Sequence, residues 1–416
     1  MAGINLRRRC YSNDTLPESR ILMIGTVSGS TNVYVNEDSG YSLANSKSYA
    51  QGTPIVSQGN RSYGGVVSPR GKYFFQVERY GTSLSEDRCL FFKIEDEEVT
   101  LLNTITGDDL PADIVRPTTS YSAASFGKKG ECVFTKDERY LYIASYNYYN
   151  STTIYTYISK FGITDNGLSH VKTQRLYVGI GSMDYGPYLA LHPDETIIAS
   201  SVIWTDGSGV SRHSIDIYEI GEDGTLTRRN GQVWQNSYKQ DLSVSTKNGR
   251  IHFSENGEWL FREIMLYSSS YTTGVIIYRY APASYGLSQY TSRYVTNTYE
   301  NRTGCRVHGN YVDIIGEYGS TGNLYCDRVR YSDSDAAEVL GPILFPGSNT
   351  WAKNILNYGG DTSNDGKYIV FNSMTSSYYY LLEMNFDDST CTLIDSYDAG
   401  ISSGYKSLAK FINEEE

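Results

Sequence analysis

Two Arg-x-His pairs offer the clearest candidate chemistry in this chain: Arg250 and His252 in GRIHFS, and Arg306 and His308 in GCRVH. A guanidinium binds anions, and an imidazole is cationic when protonated, so such groups can hold an anionic ligand. Alternate residues of a β-strand share a face, so each pair presents both groups to one side. Glu131, in the comparable segment GECVFT, is the one carboxylate with a similar placement. Arg250, His252, Arg306 and His308 would make a small cationic patch that fits an anionic ligand; the leading reading of the same side chains is a water-filled channel that they line.

Other chemical motifs are missing. There is no G-x-S-x-G, Walker loop or H-E-x-x-H. His170, His213, His252 and His308 fall at unrelated places along the chain, and the six cysteines (Cys10, Cys89, Cys132, Cys305, Cys326 and Cys391) include no C-x-x-C. Neither a metal nor a cofactor is expected, and the thiols are expected to be free. DTSNDGKYIVFN (361–372) partly imitates a calcium loop through Asp361, Asp365 and Gly366. Ser363 and Asn372 stand where further ligands would be needed, so the segment reads as a turn.

A repeat positions these residues. SPRGKY (68–73), TKDERY (135–140), HPDETI (192–197), SENGEW (254–259) and SNDGKY (363–368) are tight polar turns that each open into an apolar run. LPESRI (16–21) and VHGNY (307–311) fill the two gaps, giving seven copies at a mean spacing of about 58 residues. Each turn is followed by strands with period-two alternation rich in Tyr, Ile, Val and Thr, and helical periodicity is nearly absent. The predicted fold is all-β, a seven-bladed β-propeller of four-stranded antiparallel blades. The last unit is complete by about Asp398, which leaves GYKSLAKFI (404–412) spare, while the first unit lacks an innermost strand. Pairing the two closes the ring and removes an exposed edge. The alternative donor of that strand is INLRRRCYS near the N-terminus. Length alone would suggest several domains; the even repeats instead give an arm over 1–19 and one propeller over 20–416.

The net charge of −11 argues against a nucleic-acid or anionic-membrane partner. Arg7, Arg8 and Arg9 form the single basic run and are read as an anchoring arm for a neighbouring subunit. MAGINLRRRC leads into polar sequence with no apolar core, so no signal peptide or membrane span is expected and synthesis in the cytosol is inferred. The four N-x-[ST] sequons, at Asn13, Asn60, Asn150 and Asn301, carry no weight without a secretory route.

The turn phrase resembles the recurring S/H-P-D-G-K-Y-L-Y-V of WD40-like propellers, in particular the seven-bladed lactonase-type group. GPYLALHPDE (186–195) is similar to that group's G-P-R-H-x-x-F-H-P-x-G. The resemblance implies substrate-facing Arg and His after the Gly-Pro and a Glu closing the next strand. Tyr188 and Leu189 occupy the first two positions, or Pro187 and Tyr188 if the alignment is fixed on His192-Pro193. TIIASSVIW supplies no carboxylate. By this resemblance no general base remains, and His192 is assigned to its own turn.

The loops between second and third strands share one face of a propeller. They are ERYGTSLSEDR (78–88), SYNYYNSTT (145–153), WTDGSGVSRHS (204–214), YSSSYTTG (267–274), EYGSTGN (317–323) and SMTSSYYY (373–380). Tyr, Ser, Gly and Asn at such places suit protein or glycan contact, with Tyr80, Tyr146, Tyr148, Tyr149, Trp204, Tyr267, Tyr271, Tyr318, Tyr378 and Tyr379 as the contact residues. Tyr is also an ordinary strand residue. This composition, together with the basic arm, resembles structural proteins of tailed-phage particles. The leading expectation is therefore a non-enzymatic virion component in tail, baseplate or capsid that binds other virion proteins or a host-surface protein or glycan. The alternative expectation is a cytosolic lactonase-type propeller enzyme acting on a small anionic ligand in the central channel.

Overall fold

In the computed structural model the described residues are 19–27, 30–36, 47–51, 61–79, 87–95, 98–106, 125–126, 132–148, 153–209, 211–234, 250–267, 271–298, 304–308, 311–318, 323–330, 338–346, 360–363, 365–372, 378–398 and 408–413. Nearly all of them are strand; one 3-10 turn, Pro282–Ser284, is the only helical segment among them.

The repeated turn is built by hydrogen bonds that account for its residue types. In four copies the first residue is Ser or Thr. Its hydroxyl accepts the N–H of the sixth residue (Tyr73, Tyr140, Trp259, Tyr368) at 2.9–3.0 Å, while its own N–H donates to that residue's carbonyl. An Asp or Asn in third place accepts the N–H two residues on, as in Asp137, Asp194, Asn256 and Asp365. The fourth residue is left-handed: Gly71, Gly257 and Gly366 at φ 70–74°, Glu138 at 58° and Glu195 at 62°. Glycine takes this conformation freely. The two glutamates instead use it to reach the preceding blade, where Glu138 Oε1 accepts the Arg70 N–H at 2.8 Å and Glu195 Oε1 accepts that of Lys136. Gly257 is fixed on two counts, since a Cβ there would lie 2.1 Å from His192 Nε2. The imitation calcium loop is the last of these turns. Asp365 is engaged by Ser363 and Lys367, and Asp361 by the Phe411 N–H.

After each turn the strands pair antiparallel with their neighbours in sequence. The pairing forms five sheets, two of eight strands and three of four. One eight-stranded sheet is two blades joined by a short parallel bridge, Ala50 and Gln51 against Glu98 and Val99. The other is two blades sharing the 25-residue strand Gly167–Leu191, which is outermost in one and innermost in the next. Divided there, the described residues form seven four-stranded blades, one for each copy of the turn phrase. Blade one takes its innermost strand from the C-terminus: Leu408–Asn413 pairs antiparallel with Ser19–Val27, with Phe411 opposite Ile21. The spare C-terminal strand thus closes the ring, and INLRRRCYS lies outside the described residues.

Successive innermost strands touch around a common axis. Leu408–Asn413 meets Arg61–Val67, which meets Cys132–Phe134, and so on to Gly360–Thr362, which returns to Leu408–Asn413. Between blades five and six the contact runs through Trp259–Tyr267 against Gly304–His308. Because side chains alternate faces, each blade buries one apolar face against either neighbour. Phe261 and Val275 of blade five meet Val312 and Ile314 of blade six, whereas Leu260 and Ile276 meet Tyr188 and Ile215 of blade four. Each interface is a separate small core, and many of the tyrosines lie there.

Candidate acid–base site on blade five

The innermost strand of blade five, Ile251–Phe253, carries His252, half exposed on its side chain. Beside it runs Trp259–Tyr267, with Ile251 opposite Arg262 and His252 opposite Phe261. Phe261 faces blade six, and so does Glu263 two residues on. Glu263 is 2% exposed, and its Oε1 lies 3.2 Å from His252 Nε2. The Glu263 N–H donates to the Arg250 carbonyl at 2.8 Å, which extends the ladder and sets Arg250 on the same side as His252. The arrangement is a carboxylate held in an apolar core, an imidazole bonded to it at the innermost strand, and a guanidinium two residues away. If the imidazole donates Nε2–H to Glu263, Nδ1 keeps its lone pair and can accept a proton.

Arg306 and His308 occupy the innermost strand of blade six, opposite Asp313 and Tyr311. Asp313 is already engaged: Arg328 binds it through two contacts of 2.6 and 2.8 Å and also donates to the Gly366 carbonyl of blade seven. The two Arg-x-His pairs therefore stand on the innermost strands of successive blades. Glu263 was absent from that prediction because it belongs to a second strand. Its signal was the pair of charges, Arg262 and Glu263, inside the apolar run WLFREIML. Glu131 lies outside the described residues.

Tyr188 and Leu189 are both 2% exposed and pack into different cores, Tyr188 against blade five and Leu189 against blade three. The segment that resembles the lactonase motif is therefore filled by packing. His192 serves its turn: Nδ1 sits 2.7 Å from Asp194, and Nε2 lies 3.2 Å from the Gly257 carbonyl of the next blade.

Of the residues assigned to a contact face, Tyr378 is exposed and stacked on Tyr380, and Tyr146 is half buried. Two need correction. Trp204, 5% exposed, packs with Ile154 and Val202, and Tyr379 is fully buried. The strands Ile197–Asp206 and Ser211–Ile220 extend well into the segment read as a loop, so alternation turns Trp204 inward. Tyr148, Tyr267, Tyr271 and Tyr318 stand at strand ends. Tyr80, Tyr149, Arg7, Arg8 and Arg9 lie outside the described residues. Among the described residues no helix is long and apolar enough to cross a membrane.

No protein-family model and no curated protein matches this sequence. Solved structures do resemble it. A candidate 6-phosphogluconolactonase from Bacteroides fragilis superposes with a TM-score of 0.60 at 13% identity, covering 97% of this chain and 100% of its own. The periplasmic gluconolactonase PpgL of Pseudomonas aeruginosa gives 0.56 at 10% identity, with 95% and 99% covered. The β-propeller domain of Myceliophteria thermophila Cps50 (Swd1) gives 0.50 at 12%, with 83% and 88% covered. These likenesses correct the leading expectation of a non-enzymatic virion component, since the similar structures include propellers with lactonase names. With its ring of antiparallel blades, C-terminal closure and shared superposition, this chain is a β-propeller of the architecture common to lactonase-type and WD40-like propellers.

Proposed function

We propose that the chain is a hydrolase of small anionic lactones, acting at the innermost strand of blade five on its side toward blade six. The observation that carries this reading is the contact between His252 and the buried Glu263. His252 Nδ1 takes a proton from water as the water oxygen adds to the lactone carbonyl. The tetrahedral oxyanion then collapses, the ring C–O bond breaks, and the departing ring oxygen receives the proton from the imidazolium. Glu263 positions the imidazole and stabilises its charged form, while Arg250 supplies positive charge for the oxyanion or for an acidic substituent of the substrate. Lactone hydrolysis, rather than another acyl transfer, is favoured by the names of the similar structures. Because Tyr188 and Leu189 fill the motif of the lactonase group, the base here comes from a different blade.

The test is proton release from a panel of five- and six-membered sugar lactones, with and without a carboxylate or phosphate group. Turnover is expected on anionic members, falling about 10²- to 10⁴-fold in His252→Asn with an unchanged melting temperature. No turnover on any lactone, or full activity in His252→Asn, would refute the proposal.

A further inference from the structure

Blades four and five bury a cation that no carboxylate of the described residues neutralises. Arg262 is 1% exposed and sits between Ile251 and Ile276 on the face of blade five that meets blade four. The Tyr278 hydroxyl hydrogen-bonds its guanidinium, but Nε and Nη2 are buried without a partner. Two polar groups of blade four join it at this interface. His213, 6% exposed, lies two residues before Ile215 on the same face, and its Nδ1 is also unpartnered. Ser201, fully buried, stands opposite Tyr188 and Ile215 in the register, diagonal to His213, and its hydroxyl lacks a partner as well.

These four buried polar atoms without partners are each costly, and an unpaired buried charge costs more still. A water molecule could satisfy donors but would leave the charge. Burial and the neighbouring guanidinium hold the His213 pKa at about 3, so its ring is neutral at physiological pH and the site carries a single positive charge. One small anion of charge −1 neutralises it; a dianion would bury excess negative charge in its place. Arg262 offers two N–H groups on one edge of its fork, Ser201 an O–H, and His213 an N–H in the Nδ1-protonated tautomer. We propose that Arg262, His213 and Ser201 form a binding site for a small monovalent inorganic anion of chloride or nitrate size, clamped between blades four and five.

The test uses the purified full chain exchanged into sodium gluconate, whose anion is too large for the site, with sodium chloride substituted at constant ionic strength. The melting temperature of the wild type is expected to rise about 1–2 °C per tenfold increase in chloride above the dissociation constant. In Arg262→Met it is expected to stay flat. An unchanging wild-type melting temperature, or equal slopes in both proteins, would overturn the proposal. Should Arg262→Met fail to fold, wild-type crystals grown in bromide decide the matter. An anomalous peak within hydrogen-bond distance of Arg262 Nε and Nη2 supports the site, and its absence overturns it.

Discussion

Arg262 and Glu263 are neighbours in one strand, equally buried at 1% and 2%, and they meet opposite fates on the two faces of blade five. Toward blade six, Glu263 faces His252 at 3.2 Å. Toward blade four, Arg262 has only the Tyr278 hydroxyl and a neutral His213. A propeller blade is buried on both faces, so a charge in a second strand must find its partner on a neighbouring strand of its own blade, in the adjoining blade or outside the protein. Asp313 and Arg328 show the fully internal solution: a bidentate pair, 0% and 8% exposed on their side chains, with the guanidinium also stacked 3.7 Å from the Phe386 ring centroid. Chemistry is available where the partner is a half-exposed imidazole. Where no partner is present, an exogenous ion is called for.

The largest effect is expected at the internal pair. Asp313→Ala leaves Arg328 buried with no counter-charge and is expected to cost about 3–5 kcal/mol in urea denaturation. Adding Arg328→Met should recover most of that loss. A cost under about 1 kcal/mol for the single change would mean that buried charges in these interfaces are already hydrated, and the contrast between the two faces of blade five would fall with it.

A smaller, pH-dependent effect is expected at Asp327. Burial alone pushes its pKa from 3.8 up to about 6, so the folded state holds the proton more tightly than the unfolded chain does. Its stabilising contribution is therefore present at acid pH and is lost as pH rises from about 4 to about 6. Asp327→Asn should match the wild type below pH 4 and exceed it by about 1–3 kcal/mol at pH 8, discounted for the exposed part of the group. Equal stability at both pH values would show that the carboxylate finds a partner after all.

The ring was legible because its turns make demands that few residues meet. A hydroxyl must accept the N–H five residues on, an Asx must accept two residues on, and a left-handed fourth position must be glycine or a residue held by another contact. Such demands leave a phrase, and a spare strand at one end with a missing one at the other leaves the closure readable. Arg250 and His252 were legible because innermost strands are short and their charges conspicuous. Glu263 and Arg262 were not, because a long apolar second strand reads as packing and its two adjacent charges, pointing to opposite faces, look like noise. Trp204 and Tyr379 were misplaced for a related reason: at the end of a strand an aromatic side chain follows alternation into the core whatever the composition of the loop beyond it. Tyr and Ser serve both strand and loop, so their abundance cannot carry a function, and the virion reading rests on that abundance together with the short basic arm.

The central claim is that His252 and Glu263 act as one unit in lactone hydrolysis. The most direct measurement is kcat/KM for the best lactone of the panel in His252→Asn, Glu263→Gln and the double variant. Each single change should slow the reaction with little change in melting temperature. The double variant should be no slower than His252→Asn alone, since a positioning carboxylate has nothing left to position. Multiplicative losses in the double variant, or a Glu263→Gln enzyme as fast as the wild type, would contradict the account.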